Sequence, residues 1–187
     1  MTERDQMIAG GQYDSTDPAL VAARFEARHL TAKLAALDPA EIAAREAVLA
    51  ALLGGIGPGS WIEAPFFCDY GAQIRLGARV FINMACVFLD PAPITLGDDV
   101  QVGPAVQLLT ADHPRDAGER ATGVESARPI TVGDRVWLGG GVIVLPGVEI
   151  GRDAVIGAGS VVTRSVPPGV VAAGNPCRVI ADPPGAG

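Results

Sequence analysis

PITVGDRVWLGGGVIVLPGVEIGRDAVIGAGSVVT, residues 129–163, places an aliphatic or small residue at every sixth position. The same step runs through most of residues 62–160, with a shift of two residues near Pro91 and a gap over 108–129. Ten of its fourteen positions are Ile or Val, so chance composition is a poor explanation. The fourteen positions are Ile62, Cys68, Ile74, Val80, Cys86, Ile94, Val100, Val106, Ile130, Val136, Val142, Val148, Ala154 and Ser160.

Glycine repeats in phase with these positions. It stands three residues after them eight times in fourteen, whereas 24 glycines among 187 residues would place about two there. A short extended segment buries one side chain, and glycine lets the backbone turn where a Cβ would clash. Three such units make one coil of a solenoid, and coils stack through parallel ladders. A β-sandwich would give irregular spacing instead. The pattern therefore predicts a mainly β chain built on a parallel β-helix of four to five coils.

The first 57 residues differ from the repeat and predict an N-terminal α-helical hairpin. Asp17 is placed to cap a helix that has Pro18 at its first position. Leu20, Phe25, Leu30, Leu34 and Leu37 are expected along its buried face, and Asp38-Pro39 is expected to begin the second helix. Residues 58–166 are the predicted β-helix, with a long loop at 108–129. Residues 167–187 are the predicted C-terminal capping segment and tail, in which DPPGAG is expected to be loose.

Composition excludes several classes of protein. Twenty-one acidic residues against 14 Lys and Arg give a net charge of −7, which argues against non-specific attraction to nucleic acid. The three cysteines form no CxxC spacing, and their odd number favours a reducing compartment. No signal peptide and no apolar run of about 20 residues is recognisable. We therefore expect a cytoplasmic protein without a membrane partner.

His113 lies in the long loop that breaks the repeat and is one of two histidines in the chain. Loops of this length in a compact domain are generally functional or disordered, so an anchored loop is expected to present this imidazole. A surface histidine without a role is the alternative. His29 falls inside a helical pattern and is most simply structural.

The motifs together resemble one family, the maltose/galactoside O-acetyltransferases, which include the nodulation acetyltransferases and are hexapeptide-repeat, left-handed β-helix acyltransferases. The matching stretches occur in the family's order over about residues 7–181, and the left hand of the coil is implied by the resemblance. They are MIAGGQYDSTDPAL, PFFCDYG, VFINMACVFLD, LLTADHP, PITVGDRVWLGGGVIVLPGVEIG, VIGAGSVVT and VVAAGNPCRVI.

The resemblance implies direct transfer of acetyl from acetyl-CoA to a sugar hydroxyl, with no metal required. A hydroxyl is nearly un-ionised at neutral pH, and an imidazole, with an ordinary pKa near 6.5, can remove its proton during attack. His113 is the implied general base. Glu125, or equally a backbone carbonyl, would orient its ring. The backbone N–H of Gly140 would stabilise the oxyanion, although a plain glycine-rich turn is the alternative.

The resemblance also assigns substrate contacts. For the acceptor it points to Asp14 and Asn83 beside His113, with Asp90 as a weaker candidate. Asn83 stands where the repeat favours glycine, which suggests that a side chain is presented there. Ala85 and Pro91 depart from the family pattern, which puts the identity of the sugar in doubt.

The coenzyme is expected to lie along the coils. Small residues would accommodate the pantetheine arm, aromatic and polar residues would border it, and Arg178 would meet the nucleotide phosphates. Ala181 replaces a basic residue common in relatives. The family's homotrimer would place three sites between subunits. The assigned cofactor-binding positions are Trp137, Gly139, Gly140, Ala158, Thr163, Arg164 and Arg178.

Three other functions compete with this interpretation. An acyltransferase of the same fold could act on a non-sugar acceptor such as an antibiotic. A metal-dependent hydratase of this fold needs three histidine ligands, and the chain has two. A non-catalytic solenoid used as an assembly module would have no reason to combine the histidine loop with the GGG turn.

Overall fold

A computed structural model describes residues 1–181, so the predicted DPPGAG tail lies outside the described residues. Its helices are α1 (Glu3–Ile8), α2 (Pro18–Ala36), α3 (Ile42–Leu52) and α4 (Ala117–Arg120). In chain order its strands are β1 (Tyr13–Asp14), β2 (Gly55–Ile56), β3 (Trp61–Ile62), β4 (Phe66–Cys68), β5 (Ile74–Leu76), β6 (Phe81–Ile82), β7 (Cys86–Leu89), β8 (Ile94–Leu96), β9 (Gln101–Val102), β10 (Gln107–Leu109), β11 (Ala111–Asp112), β12 (Val124–Ala127), β13 (Ile130–Val132), β14 (Trp137–Leu138), β15 (Ile143–Val144), β16 (Glu149–Ile150), β17 (Val155–Ile156), β18 (Val161–Val162), β19 (Val171–Ala173) and β20 (Arg178–Ala181).

The strands stack into the three sides of a parallel solenoid. Side 1 holds β2, β5, β8, β13 and β16, and side 3 holds β4, β7, β10, β15 and β18. Side 2 holds β3, β6, β9, β14, β17 and β19, with β20 added antiparallel to β19. The solenoid has about six turns, more than the four to five predicted. The repeat count missed β2, which lies three residues before the predicted boundary at 58, and β19, which follows Ser160.

The core is one row of side chains for each side of the solenoid. All fourteen positions of the six-residue repeat are buried, and Ser160 is accommodated by donating its hydroxyl to the Gly157 carbonyl. Phe66 and Phe88 pack edge to face between two coils on side 3, with ring centroids 5.3 Å apart. The predicted parallel β-helix of hexapeptide repeats is confirmed. Because each unit needs one inward side chain and one turn, the fold is encoded locally.

The N-terminal helices cover the first coil. Asp17 caps α2 by accepting hydrogen bonds from the N–H groups of Ala19 and Leu20, with Pro18 at the first helical position, as predicted. Phe25 was wrongly placed on the buried face, since it is 56 % exposed. It lies about 140° around the helix from Leu20 at 100° per residue.

The second helix begins later than predicted. The Asp38 carboxylate accepts from the Ala40 N–H and closes a turn, so α3 starts at Ile42 rather than at Asp38-Pro39. Arg45 on α3 is buried against the first coil, where it donates to the Ile62 carbonyl and stacks on Trp61. No helix within residues 1–181 is both long enough and apolar enough to cross a bilayer.

Candidate functional site

The turns from side 2 to side 3 stack into one corner, which we name the glycine corner. It is formed by residues 83–85, 103–105, 139–141 and 157–159. A Cβ on Gly139 would lie 2.6 Å from the Ala158 nitrogen, and one on Gly103 would lie 2.6 Å from the Gly140 nitrogen. Real Cβ atoms do not approach backbone that closely, so glycine is required where these turns stack.

The glycine corner carries backbone donors without acceptors. The third residue of each turn donates to the preceding coil, as Gly141 does to Pro104 and Gly159 does to Gly140. The second residue of the upper turns is already satisfied, because Met84 donates to the Asn83 side chain and position 104 is proline. The N–H groups of Gly140 and Ala158 find no acceptor within residues 1–181. An exposed pair of open donors can bind a carbonyl oxygen or an oxyanion.

The predicted cofactor-binding residues fall into two groups. Trp137, Gly139, Gly140 and Ala158 lie together, since Trp137 is half-exposed on side 2 immediately before the glycine corner. Arg164 and Arg178 line a separate cavity of about 160 Å³ at the last coil, together with Ser165, Val166, Pro167, Ala172, Cys177 and Val179. Two guanidinium groups at one cavity suit a phosphate. Thr163 is exposed in the neighbouring turn.

The loop that carries His113 leaves the solenoid at a different corner. Thr110 follows β10 on side 3, and the chain returns at Ile130 on side 1. This loop corner and the glycine corner lie at opposite ends of the side 3 strands, a span of about six residues or at most about 20 Å. The His113 ring is exposed and makes no hydrogen bond within the described chain. Its backbone is held, because its N–H donates to Asp112, which pairs with Arg128.

Strands β11 and β12 of the loop form a three-stranded antiparallel sheet with β1 of the N-terminal segment, and β12 is the central strand. Glu125 on β12 accepts a hydrogen bond from the Tyr13 hydroxyl on β1, with 2.9 Å between the oxygens. Both residues line a polar cavity of about 220 Å³ with Ser15, Arg24, Arg28, Asp69, Tyr70 and Pro91. The Arg24 guanidinium donates to the Tyr70 hydroxyl at 2.8 Å and to the Ser15 carbonyl at 2.7 Å. We name this the polar cavity.

The three residues predicted to bind the acceptor beside His113 do not line the polar cavity. Asp90 is fully buried, and its carboxylate accepts backbone N–H groups from Asp69, Tyr70 and Gln73 at 2.8–3.2 Å. It therefore holds the turn that presents Asp69 and Tyr70. Asp14 neighbours Tyr13 on β1, and its side chain takes the opposite face of the sheet, where it accepts from Thr16. Asn83 is half-buried on the glycine corner and does not line the polar cavity.

Of the residues that line the polar cavity, Glu125 alone was a predicted site residue, and those missed include Tyr13, Arg24, Asp69 and Tyr70. Asp69 and Tyr70 carried a signal, since a polar pair follows the buried Cys68 in PFFCDYG where the repeat needs only a turn. Arg24 carried none, because an arginine on a surface helix is ordinary. Among residues 1–181 no group of three His, Cys, Asp or Glu side chains is arranged to hold a metal.

Burial raises the pKa of Asp69 to about 6, and the neighbouring charge of Asp90 adds to the effect. Since the folded-state pKa exceeds the unfolded value of about 3.9, the folded state binds the proton more tightly. The contribution of Asp69 to the free energy of unfolding is fully present below about pH 4, and it is lost as the pH rises through about 6. Asp69→Asn should therefore be more stable than the unsubstituted protein at pH 7, by about 1–2 kcal/mol after allowance for partial exposure.

Urea unfolding at pH 4 and pH 7 checks this expectation. The advantage of Asp69→Asn should vanish at pH 4, where both side chains are neutral. Glu26→Gln, on the exposed face of α2, should show no such pH-dependent difference. A variant less stable than the parent at pH 7 would mean that the Asp69 carboxylate has a favourable partner.

Comparison with known proteins places this geometry in a family. Residues 6–57 match the model of the maltose acetyltransferase hexapeptide capping motif, and residues 129–164 match that of bacterial transferase hexapeptide repeats. Nodulation protein L of Rhizobium meliloti is 45 % identical over 185 residues, covering 95 % of this chain and 97 % of the relative. The chain belongs to the maltose/galactoside O-acetyltransferase family. The resemblance drawn from the motifs is confirmed, and so is the enzyme class, an acetyltransferase.

Solved members of the family share the whole fold. A maltose O-acetyltransferase from Clostridium difficile 630 superposes with a TM-score of 0.96 at 45 % identity, covering 98 % of both chains. Galactoside acetyltransferase in complex with coenzyme A gives 0.93 at 35 % identity, over 97 % of this chain and 91 % of that one. A Vibrio cholerae hexapeptide-repeat acetyltransferase complexed with acetyl coenzyme A gives 0.89 at 39 % identity, over 97 % and 98 %.

Proposed function

We propose that the protein transfers acetyl from acetyl-CoA to a hydroxyl of a sugar, with His113 as general base. The observation that carries the proposal is the backbone N–H of Gly140, which has no acceptor within residues 1–181. It lies on the glycine corner, at the other end of side 3 from the loop that presents His113. Solved family members hold coenzyme A or acetyl coenzyme A, which supports this donor. The enzyme class is shared by the family, and the acceptor and base are our assignment.

Each residue of the proposed site has a separate role in the reaction. His113 takes the proton of the acceptor hydroxyl as that oxygen attacks the thioester carbonyl, and it later returns the proton to the departing thiolate. The Gly140 N–H stabilises the negative oxygen formed in between. Gly139 and Ala158 keep the glycine corner open for the pantetheine arm, with Trp137 beside it. Arg164 and Arg178 suit the phosphates of the nucleotide.

The polar cavity supports a sugar as acceptor. Arg24 and Arg28 face Asp69 and Glu125 around it, so its formal charges balance and it offers both donors and acceptors. A neutral polyol can pair with all of these groups, whereas an anionic or largely apolar acceptor would leave charges unmatched. This favours a sugar over an antibiotic of apolar character.

Each site is proposed to form between subunits of a homotrimer. The loop corner and the glycine corner are at opposite ends of side 3, so one chain presents the base and the oxyanion donor on separate edges. A second copy packed against that side would bring the loop of one chain to the glycine corner of the next. Cyclic symmetry then gives three equivalent sites.

A panel of acceptors tests the proposal. With acetyl-CoA present, release of thiol should accelerate on addition of at least one of glucose, maltose, a galactoside or a chitin oligomer. Chloramphenicol, whose hydroxyls are not on a sugar, is the comparison acceptor, and the solution mass should be that of a trimer. Faster transfer to chloramphenicol than to every sugar, or full activity in a stable monomer, would contradict the proposal.

A further inference from the structure

The loop sheet pairs Tyr13 with Glu125, and its strand β11 ends one residue before His113. On β1 and β12, Tyr13 is paired with Glu125, and on β11 and β12, Asp112 is paired with Ser126. Continuing the second register by one residue sets His113 opposite Glu125. Residues directly opposite in an antiparallel pair share a face, with Cβ atoms about 4.5–5.5 Å apart. Tyr13 and Glu125 therefore lie side by side, and His113, one residue beyond the last pair of β11 and β12, would take the place on the other side of Glu125.

The Tyr13 hydroxyl is held as a hydrogen-bond donor to Glu125. Its side chain is 2 % exposed and packs with Met7 and Leu20, and its hydroxyl donates to Oε2 of Glu125 at 2.9 Å. Burial raises the pKa of Tyr13, and the Glu125 carboxylate raises it further. The hydroxyl therefore keeps its proton throughout the pH range in which an acetyltransferase works, and it remains a donor to Glu125.

The two oxygens of the Glu125 carboxylate differ in their hydrogen bonds. Oε2 is held by Tyr13, while Oε1 has no partner within residues 1–181. Without the hydroxyl, the flexible glutamate side chain would have no fixed direction. We infer that Tyr13 is a positioning residue for the base: it holds Glu125 so that the free Oε1 can accept the Nδ1–H of His113, a bond that the exposed ring does not make in this structure. This rests on the proposed function, in which His113 is the base.

The consequence for catalysis is the choice of tautomer. A neutral histidine in water favours the Nε2–H form, which cannot accept a proton at Nε2. An acceptor at Nδ1 stabilises the other form and leaves the Nε2 lone pair for the sugar hydroxyl. In Ser-His-Asp enzymes, loss of the correct tautomer costs about 10⁴-fold in kcat. Removing only the hydroxyl that steadies Glu125 should cost much less, about tenfold, which is the usual net contribution of one hydrogen bond.

Tyr13→Phe tests the inference, because it removes the hydroxyl and keeps the ring in its packing. We expect kcat to fall about tenfold with the KM for acetyl-CoA changed less than about twofold. In a Glu125→Gln background the same change should have no further effect, since Tyr13 acts through Glu125. Tyr70→Phe is the matched control for the imidazole spectrum rather than for turnover, since Tyr70 lines the proposed acceptor cavity but its hydroxyl contacts Arg24 and not Glu125.

Nitrogen NMR of the imidazoles gives a readout that is independent of turnover. With two histidines in the chain, His29 is an internal reference. At about pH 8.5, where an ordinary imidazole is neutral, His113 should be mainly the Nδ1–H tautomer in the parent protein and in Tyr70→Phe. It should shift towards Nε2–H in Tyr13→Phe and in Glu125→Gln. An Nε2–H signal in the parent, or a His113 signal unaltered by Tyr13→Phe, would overturn the inference. The expected tautomers in a protein that acetylates no sugar would instead reject the proposed function alone.

Discussion

Replacing His113 by alanine is expected to lower kcat for acetyl transfer by about 10²–10⁴-fold, the usual contribution of a positioned general base. The reason is chemical, since no other histidine lies in the loop and an un-ionised sugar hydroxyl attacks a thioester slowly. The KM for acetyl-CoA should change little, because the glycine corner and the Arg164–Arg178 cavity do not include the ring. Steady-state thiol release with saturating acetyl-CoA and the best acceptor of the panel measures both.

The variant should fold like the parent. The His113 side chain is exposed and makes no hydrogen bond within residues 1–181, so the midpoint of thermal unfolding should stay within about 2 °C. His29→Ala is the matched control, since His29 is exposed on α2 and should be dispensable for turnover. A rate close to that of the parent in His113→Ala would refute the assignment of the base.

The solenoid was predictable from sequence because its rules are local. Each unit needs one small or aliphatic residue inward and a turn three residues later, and every one of the fourteen predicted inward positions is buried. The ends were less predictable. β2 and β19 flank the regular repeat, and residues that pair with a last coil need not follow the pattern of those inside it.

The helical hairpin shows the limit of periodicity. Leu20 and Leu34 are buried on α2, but Phe25 lies on the opposite face and is exposed. An apolar residue in an amphipathic segment suggests burial, and only the helix rotation against the first coil decides it. The start of α3 depended on a side-chain turn at Asp38, which competes with the helix for the same N–H groups.

The candidate site was predictable only in part, since it depends on contacts between distant segments. His113, Gly140 and Glu125 were proposed from motifs, and the structure places Glu125 on β12 and His113 directly after β11, the strand paired with β12. Asp90 was assigned to the acceptor, yet its oxygens are used by three backbone donors in the turn above. Tyr13 was not identified at all, because its partner Glu125 is 112 residues away in the chain.

The second large effect is expected from mixed trimers of two inactive variants. Gly140→Leu should block the open N–H of the glycine corner while still folding, because a β-carbon there lies no closer than 3.4 Å to Pro104. Each pure variant, His113→Ala or Gly140→Leu, should retain about one hundredth of the parent activity or less. Their unfolding midpoints and solution masses control for misfolding.

The most direct test of the account is the activity of such mixed trimers, co-expressed with two different tags and purified through both. If a site combines His113 of one subunit with the glycine corner of the next, every mixed ring of three holds one intact site, whichever variant is in excess. Activity should then return to about one third of the parent value per trimer. If the base and the oxyanion donor of a site came from one chain, no site would be intact, and activity no higher than that of the pure variants would contradict the account.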